Sequence, residues 1–182
     1  QEDKLGRDGT DKPSKEPFFV KKARPTSGLV LQALFNILGP GAGKSFLDLF
    51  SGTGRVGLEA LTKGFAPVVL VESSKKRPTE LAGSTSRREL EILAMDVRKA
   101  LSLLENQGRL FDVVFADPPY GMGWVTRIAS TRFRLEAVMK DKGIFVMEHS
   151  KREVVVPAQW DGWSFRTRAY GDTLLTFFQK NN

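Results

Sequence analysis

The 182-residue sequence contains no cysteine. That excludes disulfides and thiolate-held metals, and it agrees with a cytoplasmic protein. Histidine is nearly missing too: His149 stands alone, which cannot support a histidine-rich metal site and reads as a structural hydrogen-bonding residue at a strand end. Long hydrophobic runs are also lacking. The most apolar stretches, such as Val68–Val71 and Val113–Ala116, are strand-sized, whereas a bilayer-spanning helix needs roughly 20 apolar residues. No basic, apolar and small-residue succession of a secretory signal opens the chain. A cytoplasmic protein with no membrane partner is the expectation. At 41% hydrophobic the chain can still bury a core, and its length suits one domain. Residues 1–17 are polar and mixed in charge, read as a mobile tail before a single domain over residues 18–182, expected to be a monomer.

The formal charge is +7. A basic excess favours polyanionic partners through neutralisation of phosphates. The clusters are Lys21, Lys22 and Arg24, then Lys75–Arg77, Arg87 with Arg88, and Arg127, Arg132 and Arg134. Each could equally be a solvated face. Lys21, Lys22, Arg24 and Thr26 are the candidate nucleic-acid contacts.

Thr26 or Ser27 can cap a helix whose apolar positions, from Leu29 to Leu38, recur at helical spacing until Gly39-Pro40 ends it. Strands follow at Ser45–Phe50, Val68–Glu72, Leu90–Met95, Phe111–Ala116 and Gly143–Glu148. Helices fall between them, at Val56–Lys63, weakly at Lys75–Arg88, at Val97–Glu105, and within Trp124–Lys140. Ser164–Arg168 and Thr173–Gln179 form a closing pair. Strands alternating with helices predict an α/β fold, a doubly wound, Rossmann-like and mostly parallel sheet covered on both faces. Such folds bind ligands beyond the carboxyl ends of the strands. Gly39–Ser45 resembles a phosphate loop, but Leu38 stands where a glycine is required and the segment precedes a strand, so it reads as a linker.

Gly52-Thr53-Gly54-Arg55-Val56-Gly57 joins a strand to a helix, as in folds whose backbone closely approaches an adenosine-containing ligand. Glu72 ends the next strand, where a carboxylate can accept both ribose hydroxyl protons. These two features fit a dinucleotide as well as S-adenosylmethionine. Two features, Asp48 and Asp96, break the tie. A carboxylate just before the glycine turn repels a pyrophosphate and suits a ligand carrying an ammonium and a sulfonium. Asp96 ends the third strand, where it could take an adenine amino group. The plainer reading is that these acids only cap strand ends and helix starts. The candidate cofactor residues are Asp48, Phe50, Ser51, Gly52, Gly54, Glu72, Asp96 and Val97.

Asp117-Pro118-Pro119-Tyr120 ends the fourth strand. Two prolines hold the backbone extended and leave the Asp117 and Pro118 carbonyls free as acceptors. An exocyclic amine needs such acceptors, because its lone pair is delocalised into the base and must be turned toward the electrophile. Tyr120 offers a ring on which a base can stack. Asp117, Pro118, Pro119 and Tyr120 are therefore the candidate catalytic residues.

With these residues in place, the chain resembles the bacterial small-subunit ribosomal RNA (guanine-N2)-methyltransferases of the RsmD type. The pieces are Arg24-Pro25-Thr26 leading into Ala33–Leu38, Leu47–Gly54, Gly57–Ala60, Val71-Glu72, Asp117–Tyr120, Glu148–Lys151 and Tyr170–Thr173. The resemblance implies a class I methyltransferase fold with a seven-stranded sheet over residues 18–182. It further implies S-adenosylmethionine as cofactor, and methylation of a guanine amine in ribosomal RNA or an assembling small subunit. Other targets of the same chemistry, DNA adenine N6 or a protein glutamine, stay open, as do a catalytically silent RNA-binding module and a nicotinamide oxidoreductase.

Overall fold

The computed structural model describes residues 27–74 and 89–181. Lys21, Lys22, Arg24 and Thr26, the expected tail, the helix expected over Lys75–Arg88 and the basic clusters there lie outside the described residues.

Helix α1 (Gly28–Leu38) opens where Ser27 Oγ accepts the Val30 N–H at 3.3 Å and buries Val30, Leu31, Leu34, Phe35 and Leu38. The remaining elements are β1 (Phe46–Asp48), α2 (Arg55–Thr62), β2 (Val68–Val71), β3 (Leu90–Leu93), α3 (Val97–Asn106), β4 (Phe111–Ala116), α4 (Trp124–Ser130), α5 (Arg132–Ala137), β5 (Met139–Ser150), β6 (Trp163–Tyr170) and β7 (Thr173–Lys180). They build one seven-stranded sheet in the order β3-β2-β1-β4-β5-β7-β6. All neighbours from β3 to β5 run parallel; β7 runs antiparallel to β5 and to β6. The doubly wound α/β sheet read from the sequence is the sheet observed.

Period-two alternation sorts the strand side chains onto two faces. Phe46, Val68, Leu70, Val113, Phe115 and Val146 pack with α1 and α2. Leu47, Val69, Val71, Val114, Phe145 and Met147 pack with α3, α4 and α5. Both faces being covered explains why the central strands are mostly apolar.

Three local features differ from the sequence expectation. The helix expected within Trp124–Lys140 is two helices, because the Thr131 hydroxyl donates to the Arg127 and Ile128 carbonyls at 3.0 and 3.3 Å and competes with continuation. Strand β5 begins earlier than expected, at Met139, with a register shift where it meets β4. A short 3-10 turn, Pro157–Trp160, was not anticipated; it buries Trp160 against Phe145 and Phe178. The linker reading of Gly39–Ser45 agrees with the structure: Lys44 Nζ donates to the Pro40 carbonyl at 3.1 Å and β1 follows.

Candidate active site

Strand order switches at β1, which has β2 on one side and β4 on the other. A crevice forms where crossovers leave in opposite directions. The chain leaving β1 is held on both sides: the Leu49 N–H donates to Phe115 O and the Ser51 N–H to Val71 O, each at 2.9 Å. It then turns through Gly52 and Gly54 into α2. Gly54 caps α2 at φ +81°, a conformation L side chains rarely adopt. Gly57 sits one turn into α2, where a Cβ would stand 2.2 Å from Leu70 Cδ2. Glycine there lets α2 lie directly on β2.

Glu72, just past β2, uses both carboxylate oxygens. Oε2 accepts the Gly52 N–H at 2.7 Å and Oε1 the Ser74 N–H at 2.6 Å. The residue expected to hold a ribose thus also pins the glycine turn to the second strand. Beside it opens a cleft lined by Phe50, Glu72, Met95, Asp96, Val97 and Trp124. Phe50 and Trp124 meet edge to face with centroids 5.0 Å apart. Val97 is buried at the first position of α3. Two carboxylates set in an apolar wall suit a nucleoside, with hydroxyls for the acids and a flat base for the aromatic and aliphatic surfaces.

Asp96 does what the plainer reading required. It caps α3 by accepting the Arg98 N–H, and it accepts Arg98 Nε as well, both at 3.0 Å on Oδ1. The Arg98 guanidinium holds the Asp96 carboxyl below its ordinary pKa. It nevertheless stands on the cleft wall.

Asp48 is fully buried at the end of β1 and accepts the Phe50 N–H at 3.2 Å. Burial pushes its carboxyl up to about 7, and the charges of Glu72 and Glu148 add to the rise. Ser51 is buried nearby, and its hydroxyl has no hydrogen-bond partner among the described residues. Among the described residues, a buried acid with no cation against it and a buried hydroxyl with no partner, three positions apart at the turn, fit the ammonium and carboxylate of a bound amino-acid moiety. The residues present therefore fit S-adenosylmethionine.

Asp117–Tyr120 leaves β4 beside this turn. Pro118 is buried, Asp117 and Pro119 half-buried, Tyr120 exposed at its ring. The Tyr120 hydroxyl donates to Glu148 Oε1 at 3.2 Å. Burial and the charges of Glu148 and Asp117 raise the hydroxyl's pKa above its ordinary value, so it serves as a neutral donor. Glu148, buried near the end of β5, was read from the sequence only as a family marker, and Trp124 only as part of a helical stretch. A lone Glu before His149, or a Trp opening a helix, carries no local pattern; only pairing of β4 with β5, and packing of α4 over the β1 turn, reveal their places.

His149 is buried. Nδ1 donates to the Ser150 carbonyl at 3.2 Å, so Nε2 accepts from the Thr176 hydroxyl at 2.8 Å, which in turn accepts from Thr167 at 2.8 Å. Burial lowers its pKa. This neutral imidazole ties β5 to β7 and β6. Of the last basic cluster, Arg127 lies over the Trp124 ring at 5.4 Å, and Arg134 pairs with Glu105 at 3.3 Å.

A family model described as conserved hypothetical protein 95 matches residues 16–179. The ribosomal RNA small subunit methyltransferase D of Buchnera aphidicola (subspecies Acyrthosiphon pisum) is 28% identical over 145 residues, covering 78% of this chain and 75% of that protein. Its namesake from Escherichia coli K12 is 27% identical over 159 residues, covering 86% and 79%. A solved structure of a hypothetical protein from Thermus thermophilus is similar with a TM-score of 0.68 and 31% identity, covering 87% of this chain and 90% of that one. The chain belongs to this family, that of the RsmD-type methyltransferases.

Proposed function

We propose that this protein transfers a methyl group from S-adenosylmethionine to the exocyclic N2 amine of a guanine in small-subunit ribosomal RNA. The observation that carries the reading is the meeting of two constellations at the switch in strand order. One is the cleft and turn built by Asp48, Phe50, Ser51, Gly52, Gly54, Glu72, Asp96 and Val97; the other is Asp117–Tyr120 at the end of the adjoining strand. The names of the relatives supply the class of RNA.

When bound, the cofactor supplies an electrophilic methyl on sulfur. The chain's own residues position and hold. Glu72 would accept ribose hydroxyls, Asp48 would face the ammonium, and Phe50, Val97 and Trp124 would enclose the base. Asp117 and the Pro118 carbonyl accept from the two N–H groups of the target amine, which turns its nitrogen outward. The nitrogen gains a methyl and gives up one proton, which the Asp117 carboxylate would receive. The Tyr120 ring receives the extruded base.

The test is to incubate the protein and S-adenosylmethionine with small subunits, and with their naked RNA, from a strain lacking the gene. Appearance of N2-methylguanosine at one position is expected. Methylation only of DNA adenine or of a protein glutamine would overturn the target. Tight binding of NAD with none of S-adenosylhomocysteine would overturn the chemistry.

A further inference from the structure

Between the amine site and the cofactor cleft the chain passes through Gly121-Met122-Gly123. Tyr120 belongs to the former and Trp124 lines the latter. Two residues of chain span at most roughly 7 Å, so Met122 stands within that reach of both. It is also 50% exposed, beside Tyr120 at 42%. Gly121 and Gly123 adopt φ of +73° and +70°, and nothing lies within 4 Å of a Cβ built on either. Glycine is thus present to shape the turn and not to admit a crowded neighbour, and the turn holds an apolar side chain out into water.

This tip is braced. Glu153 Oε1 accepts the Gly121 N–H and Glu153 Oε2 the Ser150 N–H, both at 3.2 Å. The brace ties the tip to the end of β5. Arg152, adjacent in the chain, is exposed, its own N–H donating to Ser150 Oγ at 3.2 Å.

We propose that Met122 is the wedge that fills the stack vacated when the target guanine turns into the site, a step that rests on the RNA reading above. A base leaving a stack exposes the faces of its neighbours, and proteins that unstack bases insert apolar side chains in the opened step. Methionine suits this role because it is unbranched, its sulfur is polarisable, and it packs favourably on aromatic faces. A wedge must resist being pushed back, which is the part the Glu153 brace plays. The ligand class is therefore a stacked guanine with a neighbour on at least one side, not a free nucleoside.

The test compares two RNAs of identical sequence around the methylated guanine. In one the guanine is stacked as in the natural RNA; in the other the adjoining nucleotide is abasic, so no stack needs refilling. Met122→Ala should lower kcat/KM on the stacked RNA roughly 10- to 100-fold and leave the abasic RNA nearly unaffected. Affinity for S-adenosylhomocysteine should not change. Met122→Leu should retain activity and Met122→Gln, similar in size but polar, should not. Glu153→Gln, which keeps one accepting oxygen of two, should show the same substrate dependence more weakly. Equal losses on both RNAs, or full activity of Met122→Ala and Met122→Gln on the stacked one, would overturn the wedge while the methyltransferase reading stands. Failure of the unsubstituted protein to methylate either RNA would overturn the function and the wedge with it.

Discussion

At the residue scale, burial moves the Asp48 carboxyl away from its ordinary behaviour. Its folded pKa of about 7 lies above the ordinary 3.8, so between these values the folded protein holds a proton that the unfolded chain has lost. Stability contributed by this group is full below that window and falls as pH rises through it. Asp48→Asn should therefore be more stable than the parent at pH 8, by something on the order of 1–4 kcal/mol, and should match it near pH 4. Denaturant melts at the two pH values check this; equal stability at pH 8 would place Asp48 in water. A cationic ligand reverses the balance. Binding of S-adenosylmethionine near pH 6.5 should release a proton and tighten as pH rises to 8, and Asp48→Asn should lose that dependence, as calorimetry in buffers of different ionisation enthalpy can read. Glu72→Ala should weaken S-adenosylhomocysteine by roughly 1–3 kcal/mol, with an added cost because the Gly52 and Ser74 N–H groups lose their acceptor. Asp117→Ala should abolish turnover and leave that affinity nearly intact, since the loss falls on alignment of the reacting nitrogen. Tyr120→Phe keeps the ring and so the stacking, but it strips a buried Glu148 of one donor; Tyr120→Ala loses stacking worth roughly 1–3 kcal/mol as well.

At the scale of elements, the fit of α2 on β2 decides where the glycine turn sits. Gly57→Ala sets two effects against each other. Alanine favours a helix by about 1 kcal/mol over glycine. Its methyl would stand 2.2 Å from Leu70 Cδ2, the end of a wholly buried side chain that must turn to make way, and overpacking of this kind costs roughly 1–3 kcal/mol. The clash should win, lowering Tm by a few degrees, about 2–4 °C per kcal/mol for a domain of this size. Cofactor affinity should fall with it, because any outward shift of α2 moves Gly54. A variant as stable as the parent, with unchanged affinity, would show that the contact is slack.

At the scale of the molecule, an acidic crevice sits in a basic chain. The chain carries +7, yet Asp48, Glu72, Asp96, Asp117 and Glu148 gather at the carboxyl ends of β1 to β5. RNA phosphates must be met outside that acidic crevice. Affinity for ribosomal RNA should fall steeply with salt, as counterion release requires. Lys21→Glu together with Lys22→Glu should weaken RNA binding without touching S-adenosylhomocysteine. Binding insensitive to salt would point to a protein or a small molecule as the target.

The sequence by itself determined the order of the elements, the doubly wound sheet and the crevice, because apolar periodicity and glycine spacing are local signals and parallel crossovers allow few topologies. It also placed Asp48, Glu72 and Asp117–Tyr120 at strand ends. Only the tertiary structure decided what those strand ends do to one another. Burial sets the proton on Asp48; pairing of β4 with β5 brings Glu148 beneath the Tyr120 hydroxyl; α4 swings Trp124 onto Phe50; and Glu153 reaches back to Gly121 across 32 positions of sequence. Each brings together residues remote in the chain or takes one out of water, and such desolvation and hydrogen bonding come into being only when the sheet closes.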